Sequence, residues 1–561
     1  MKTKPLFLAR LTGTQVEMGA QHGRLTAQDA ARLVEFYSAM PEKVLAGGMG
    51  KLETFAIRTL ATAWQANLAR RRPAELAART RAFADAVSQE LGKHDTSAAM
   101  RTIATMDSLQ NCVSLFARGR LGPFGKAMTA RATAAAIPAC STAIAWGNAT
   151  GDGELMFARN FDFPGIGVWD VAPSFVVCAP DKGQRYGFFS ARGADAPAVT
   201  VVNEAGLVIA PHTRWHTGVT WSGAMIVDVI HEIARRAETL ADAIAIAKEH
   251  EVSSSWGVAI GSAREKSALV LEIAGPHIEV HRPSPGAEYL VCNNHYKTAS
   301  IQRGEFRASH AWSDHSVRRE RRLRHLIENR SAPLVPRDLA RFLGDREDAG
   351  VKRQFGGILA QGVNVHCVVV SPSKLRAHVG VDRAPTCEGR WAEVAWQWDG
   401  PQGGWEMTSI PDSAGFVATA LDGFVAPHSP TTDHVNAAAV AYEHRHDVPA
   451  ARAAIERAVG ESPEDPSLRL TAAWLAMQDD APERAVAHVD AGLAHETDAY
   501  RRGQLLLWGS RAAKRSDPAR SLQWKEELER LSGDGVDELR ARLRERAPRK
   551  PSLNLMMVDA Y

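Results

Sequence analysis

The chain is poor in cysteine, has no long apolar run and carries almost no net charge, and each shortage argues against a class of function. Its six cysteines among 561 residues, Cys112, Cys140, Cys178, Cys292, Cys367 and Cys387, are scattered and form no CxxC pair. That pattern argues against a disulfide framework and predicts reduced thiols. No stretch approaches the roughly 18 apolar residues of a membrane span. The first ten residues hold too few apolar side chains for the roughly 7–15-residue core of a signal peptide, so a cytoplasmic chain is expected. Net charge is +3 on 67 basic and 64 acidic residues, which gives no footprint for a nucleic-acid or anionic-membrane partner. There is no HExxH, no phosphate loop and no dinucleotide fingerprint, so neither a metal nor a cofactor is expected.

What remains is ordinary globular composition, 45% hydrophobic and 23% charged, over a length that predicts two to four domains. Residues 1–139 read mostly helical, with apolar and alanine-rich periodic segments such as Ala74 to Leu91 and Met100 to Leu115. The bland stretch 128–136 reads as an exposed link. From 140 to about 400 the texture changes to short strand-like runs separated by turn formers, among them Ser174–Cys178, Gly206–Ala210 and Val363–Val370. Two helical segments interrupt them, Ile226–Glu249 and His315–Asn329. Many strands with a few intervening helices predict an α+β layered domain.

Residues 401–434 contain Pro401, Pro411, Pro427 and Pro430 among glycines and read as a linker. Beyond it, 435–561 is helical and self-similar. Ile455 matches Val489 and Ala458 matches Gly492 at an offset of 34 residues, and a weaker copy starts at Asp517-Pro518. This is a tetratricopeptide-like period, with a plain helical bundle as the alternative.

The chemistry centres on Cys140, in Cys140-Ser141-Thr142-Ala143-Ile144-Ala145-Trp146-Gly147. A cluster of turn formers, Asn148 to Glu154, separates it from Ala158-Arg159-Asn160-Phe161-Asp162-Phe163. A hairpin centred near Gly151 would set Cys140 opposite Asp162, with Arg159 close by. Most cysteines in apolar strands are small buried hydrophobes, a reading that suits Cys178, Cys292 and Cys367. Cys140 differs because Arg159 and Asp162 would be costly to bury singly in so apolar a run. A thiol beside a cation and a carboxylate is a candidate nucleophile.

These residues resemble the N-terminal-nucleophile hydrolases of the isopenicillin-N acyltransferase-like family, relatives of choloylglycine hydrolases and penicillin V acylases. Further motifs follow in order: Thr12-Gly13-Thr14 with Glu17, Gly19, His22 and Gly23; Asn203-Glu204-Ala205-Gly206-Leu207; Asn293-Asn294-His295-Tyr296; and Ser316-Val317-Arg318-Arg319. The resemblance spans about residues 5–395 and is silent on the C-terminal region. It implies an αββα four-layer sandwich and a precursor that cuts itself before Cys140, although Ala139 stands where the family usually has Gly or Asn. It implies a free Cys140 α-amine as general base, oriented by Asp162, with Arg159 favouring the thiolate. Asn203 and Asn294 would stabilise the oxyanion, with turn capping as the alternative duty of Asn203, and Arg319 would be a second arginine at the site, the rest of the run 318–324 being a solvated face. Phe161, Phe163, Trp169 and Trp215 are candidate pocket residues, with core packing as their alternative duty.

Three functions remain open on these residues. The first is hydrolysis of a linear, non-peptide amide in a small N-acyl substrate, and the second is acyl transfer from acyl-CoA. The third is an inactive relic whose C-terminal helices bind a protein partner or self-associate.

Overall fold

The computed structural model describes residues 6–46, 51–92, 104–117, 139–306, 309–545, 553–554 and 559–560. It opens on a strand, β1 (Phe7–Gly13), inside the segment expected to be mostly helical. Leu6, Leu8 and Leu11 are buried together with Phe7 and Ala9, and an apolar run covered on both faces suits a central strand. Among the described residues, four helices follow: α1 (Gln15–Ala46), α2 (Lys51–Arg70), α3 (Ala74–Leu91) and α4 (Thr105–Ala117). The expected link at 128–136 lies outside the described residues.

The middle of the chain supplies β2 (Ala139–Gly147), β3 (Gly153–Asp162), β4 (Pro173–Pro180), β5 (Tyr186–Ala191), β6 (Thr200–Asn203) and β7 (Leu207–Thr213). Then come α5 (Ile226–Arg236), α6 (Leu240–Glu249), β8 (Ser255–Ser262), β9 (Ser267–Ala274), β10 (His277–His281) and β11 (Tyr289–Cys292). α7 (His310–Glu328), α8 (Pro336–Leu343), β12 (Asn364–Ser371), β13 (Arg376–Gly380), β14 (Trp391–Trp396), β15 (Gly403–Glu406) and β16 (Phe416–Leu421) complete this part. The single helix expected over 226–249 is two, because Thr239 and Asp242 form a capping box that starts a new helix.

Two large sheets result. One has nine strands in the order β10-β9-β8-β7-β6-β5-β4-β1-β15, the other seven in the order β11-β2-β3-β12-β13-β14-β16. β1 runs parallel to β4 and antiparallel to β15. Strand alternation sorts the side chains into layers. Ile144, Phe157, Phe175, Phe189, Val208 and Val368 fill the space between the sheets. Ile209 and Val258 meet Ile230 and Ile246 of α5 and α6 on the outer face of the first sheet. Ala158 and Val369 meet Leu323 and Leu339 of α7 and α8 on the outer face of the second. The architecture is mixed α+β, with helices outside two facing sheets.

The stretch read as a linker, 401–434, is instead structured, since β15 and β16 each add an edge strand to one sheet. Its aromatic residues explain this: Phe416 lies edge-on to Phe175 at 6.2 Å and tilted to Trp405 at 6.1 Å. Proline and glycine there punctuate short strands; Gly415, with φ +75°, makes the turn into β16.

Beyond lie α9 (Pro430–Ala439), α10 (Val448–Glu461), α11 (Pro466–Gln478), α12 (Pro482–His495), α13 (Ala499–Ser516), α14 (Pro518–Arg530) and α15 (Val536–Arg544). Asp447, Asp465, Asp498 and Asp517 cap four of them, accepting from the backbone N–H of the second or third helical residue. Ile455, Ala458 and Val489, at the repeat-like positions, are fully buried. Among the described residues no helix is long and apolar enough to cross a membrane.

Candidate active site

The hairpin β2–β3 brings the first candidates together, though not in the register that symmetry about Gly151 predicts. Cys140 pairs with Phe161, and Ala139 is the partner of Asp162. The ladder slips between Ala145 and Gly147, and one extra residue on one strand shifts every later pair. Cys140, Thr142, Arg159 and Phe161 therefore share the face directed between the sheets, continuous with Ile144 and Phe157. Ser141, Asn160 and Asp162 share the opposite face, towards α7 and α8.

Arg159 reaches Cys140 along that inner face. Its Nη2 donates to Cys140 Sγ at 3.4 Å, and the guanidinium also donates to the carbonyls of Val199 and Pro211. Burial pushes the Cys140 thiol above its ordinary value, Arg159 pulls it down, and Asp162 pushes it up again. The net result is a thiol that stays protonated while it is part of a continuous chain.

The Cys140 main chain is held just as closely. Its N–H donates to Asn294 Oδ1 at 3.0 Å. Its carbonyl accepts from Arg319 Nη1 at 2.7 Å and Asn293 Nδ2 at 3.3 Å. Arg319 also donates to Ser141 Oγ and Asn294 Oδ1, each at 2.9 Å. Of the arginines between 318 and 324, it is Arg319 that turns into the site; Arg322 and Arg324 pair with Asp345 and Glu320 instead. Burial lowers Arg319 to about 10, opposed by Asp162 and Cys140, so it remains a cation at neutral pH.

Asp162 is fully buried. Its Oδ1 accepts from Asn364 Nδ2 at 2.9 Å, while Oδ2 has no hydrogen-bond partner. Burial raises its carboxyl to about 7, against the pull of Arg319, Asn364 and Arg159. A buried carboxyl oxygen without a donor is costly, and it marks a place where a further donor would be stabilising.

Asn203 is not part of this cluster. Its Nδ2 donates to the carbonyls of Ala234 and Ala237 at 3.1 and 2.8 Å, and its Oδ1 accepts from Leu207 N at 3.0 Å. All its hydrogen-bonding groups are used to close the β6–β7 turn and the end of α5, the ordinary use of Asn before Gly. Asn294 differs from its expected role as well. Its Oδ1 faces the Cys140 nitrogen, and its Nδ2 is given to Thr213 O at 3.0 Å.

Residues to which the sequence assigned no role complete the surroundings. His212 Nε2 lies 2.9 Å from Thr142 Oγ1 across the gap between the sheets. Burial, then Arg159, keep its ring well below the ordinary histidine range and hence neutral. Ser316 Oγ, one turn before Arg319 on α7, accepts from Asn294 N at 2.9 Å and sits 2.7 Å from His295 Nδ1. The serine and the asparagine pair stand within sequence motifs, so proximity to Asn294 and Arg319 was the available signal. His212 carries no local signal, because its contact crosses between sheets.

A cavity of about 180 Å³ opens at Cys140. Phe161, Phe163 and Trp169 line it, as do Leu33, Tyr37 and Phe83 from α1 and α3. Trp215 does not; it packs on Phe306 with ring centroids 5.9 Å apart. A nucleophile candidate at the wall of an apolar cavity, with two cations and two amides converging on it, is equipped to hold an acyl group beside a thiol.

Residues 149–384 match the model of the family described as acyl-coenzyme A:6-aminopenicillanic acid acyl-transferase. The match contains Arg159, Asp162, Asn294 and Arg319 and begins nine residues after Cys140. No curated protein matches the chain. Among solved structures, an N-acylethanolamine-hydrolyzing acid amidase ortholog from Caenorhabditis elegans is 13% identical, with TM-score 0.30, covering 42% of this chain and 93% of that one. A variant of conjugated bile acid hydrolase from Clostridium perfringens is 10% identical, with TM-score 0.27, covering 51% of this chain and 98% of that one.

Proposed function

Proceeding from the match of residues 149–384 to that acyl-transferase family, we propose that the chain is a self-processing cysteine amidohydrolase. It would cleave a linear, non-peptide amide in a small N-acyl substrate through a Cys140 acyl-enzyme. The observation that carries this is the convergence on Cys140, with Arg159 on its sulfur, Arg319 on its carbonyl and Asn294 on its nitrogen.

Processing starts when Cys140 Sγ attacks the Ala139 carbonyl, moving the acyl group from nitrogen to sulfur and leaving a thioester. Water then releases the Ala139 carboxylate and restores the thiol, now on a residue with a free α-amine. Such an amine titrates at about 8 in simple peptides, and it accepts the thiol proton as general base. Asp162 Oδ2, without a donor in the uncut chain, gains one in the α-ammonium. Arg159 favours the thiolate that attacks the substrate carbonyl. The acyl group occupies the cavity lined by Phe161, Phe163 and Trp169, and water resolves the acyl-enzyme to acid and amine.

Intact mass of the purified protein tests processing and its position together. Two fragments are expected, one ending at Ala139 and one beginning at Cys140. Cys140→Ala should give a single uncut chain without amidase activity; a processed Cys140→Ala chain would overturn the reading. The family description favours one alternative, acyl transfer from acyl-CoA, in which an amine in place of water resolves the same acyl-enzyme. Product analysis with and without a nucleophilic amine separates the two.

A further inference from the structure

The helix that supplies Arg319 is gripped from its other side by the C-terminal helices. Successive residues on a helix are about 100° apart, so Arg318 and Arg319 leave α7 in different directions. Arg319 goes to the Cys140 carbonyl. Arg318 goes outward, to Asp314 of its own helix, to Asp348 at 3.2 Å and to Asp498. Asp498 is the N-cap of α13 and accepts from Arg501 N at 2.9 Å.

Two residues earlier, Glu496 takes both Nη atoms of Arg353 at 2.6 and 2.8 Å, and both side chains are 2% exposed. The N-cap of α11, Asp465, accepts from Gln354 N at 2.8 Å. Glu538, in the first turn of α15, accepts from His310 N at 2.8 Å, at the start of α7. The segment after Arg353 then lies directly on Arg318: a Cβ on Gly357 would come within 2.6 Å of Arg318 Cβ. The N-terminal ends of α11, α13 and α15, each carrying a carboxylate, thus meet α7 and the chain lying against it.

We propose that the C-terminal helices are an intramolecular clamp for α7, and that Asp498 and Glu496 are positioning residues for the chemistry at Cys140. The acid-tipped edge of these helices is occupied by the catalytic layer of the same chain. Burying the Arg353–Glu496 pair is expensive and contributes little net stability; what it supplies is a fixed register between two parts of the molecule. That register passes through α7 to Ser316, which holds Asn294 and His295, and to Arg319, which holds the Cys140 carbonyl. This inference rests on the function proposed above for Cys140.

Asp498→Asn tests it, because asparagine still caps α13 while removing the charge that holds Arg318. Three readouts are used: the rate at which the fragment beginning at Cys140 forms, amide hydrogen exchange along α7, and the steady-state kinetics of the processed enzyme. Asp498→Asn should slow processing by about 10–10²-fold, the range a displaced catalytic group costs, and raise exchange in α7. It should also lower kcat of the processed enzyme with KM unchanged, and Asp498→Glu should restore all three. Asp479→Asn, which breaks the 2.6 Å pair with Arg452 within the C-terminal helices, should change none of them. Wild-type processing in Asp498→Asn, or slow processing with unaltered exchange in α7, would overturn the clamp. If Asp498→Asn does not fold, Arg318→Lys replaces it under the same criteria. If the wild-type chain is never cut, the proposed function fails, and exchange in α7 still decides the clamp by itself.

Discussion

Asp162 is held in the uncut chain with one carboxyl oxygen unpartnered, and this makes stability depend on pH in a particular direction. Its carboxyl rises from the unfolded value of 3.8 to about 7 through burial, so the folded chain holds the proton more tightly than the unfolded chain does. The resulting stability is complete below about 3.8 and is lost as pH rises through 7. The uncut Cys140→Ala chain should therefore weaken by a few kcal/mol between pH 4 and 8, since each tenfold change in proton affinity is worth about 1.4 kcal/mol. Adding Asp162→Asn should flatten that slope. Asp107, raised to about 6 mainly by burial, adds a slope of the same sign to both proteins and cancels in the comparison. Urea midpoints across this pH range check the prediction, and equal slopes in the two proteins would show that Asp162 does not set the dependence. Cys140, Arg159 and Asp162 were legible because charge in an apolar strand is expensive and its presence needs a reason. Asn203 was ambiguous because an asparagine in a turn has the same local signature whether it closes that turn or faces a substrate. Asn364, which holds Asp162, and His212, which faces Thr142, meet their partners through tertiary pairing that no spacing along the chain encodes.

Two glycines of the opening motif act at the contact between α1 and α3. A Cβ at Gly23 would lie 2.5 Å from Phe83 O, and one at Gly19 would strike the Arg79 carbonyl. Both obstacles are backbone, which cannot swing aside as a side chain can. The close approach sets Phe83 against the ring of His22, with centroids 5.5 Å apart, and aims Arg79 at Asp195, 2.6 Å away. Gly23→Ala should therefore destabilise the protein by about 1–3 kcal/mol through overpacking. Gly460→Ala in α10, where a Cβ meets nothing within 4 Å, should instead stabilise by about 0.4–1 kcal/mol. Thermal melts of the two variants give the test, and a loss of stability at both sites would mean that close packing is not the cause. The motif was visible in the sequence, but its reason was not, since the atoms that exclude a side chain belong to a helix some sixty residues later. The same limit explains the hairpin: turn chemistry located the reversal correctly, while a one-residue slip near the turn changed which residue faces Cys140. It also explains 401–434, where prolines and glycines concealed two strands that exist only because the sheets offer them edges.

The segment before Cys140 belongs to the body of the protein, and this fixes what a cut after Ala139 can do. β1 lies between β4 and β15 and is hydrogen-bonded to both, so removing it would leave two strand edges unpaired. Arg79 and Asp195 pair across the boundary at 2.6 Å, and Arg72 and Asp228 at 2.8 Å, with each side chain at most 3% exposed. Leu33, Tyr37 and Phe83 form part of the cavity wall beside Cys140. Pairs buried this deeply are little screened by salt, and the apolar contacts strengthen in excluded salts such as sulfate. Residues 1–139 and 140–561, coexpressed as separate chains, should copurify through size-exclusion chromatography in high salt and separate only under denaturing conditions. The 140–561 chain expressed without its partner should be insoluble, because it lacks both the strand between β4 and β15 and one wall of the cavity. A soluble, active 140–561 chain, or fragments that part in salt, would show that the first segment is a removable cover. The strand count made a layered α+β domain legible in advance, but not this dependence, because β1 finds its neighbours more than 150 residues away and a parallel pairing leaves no local turn to announce it.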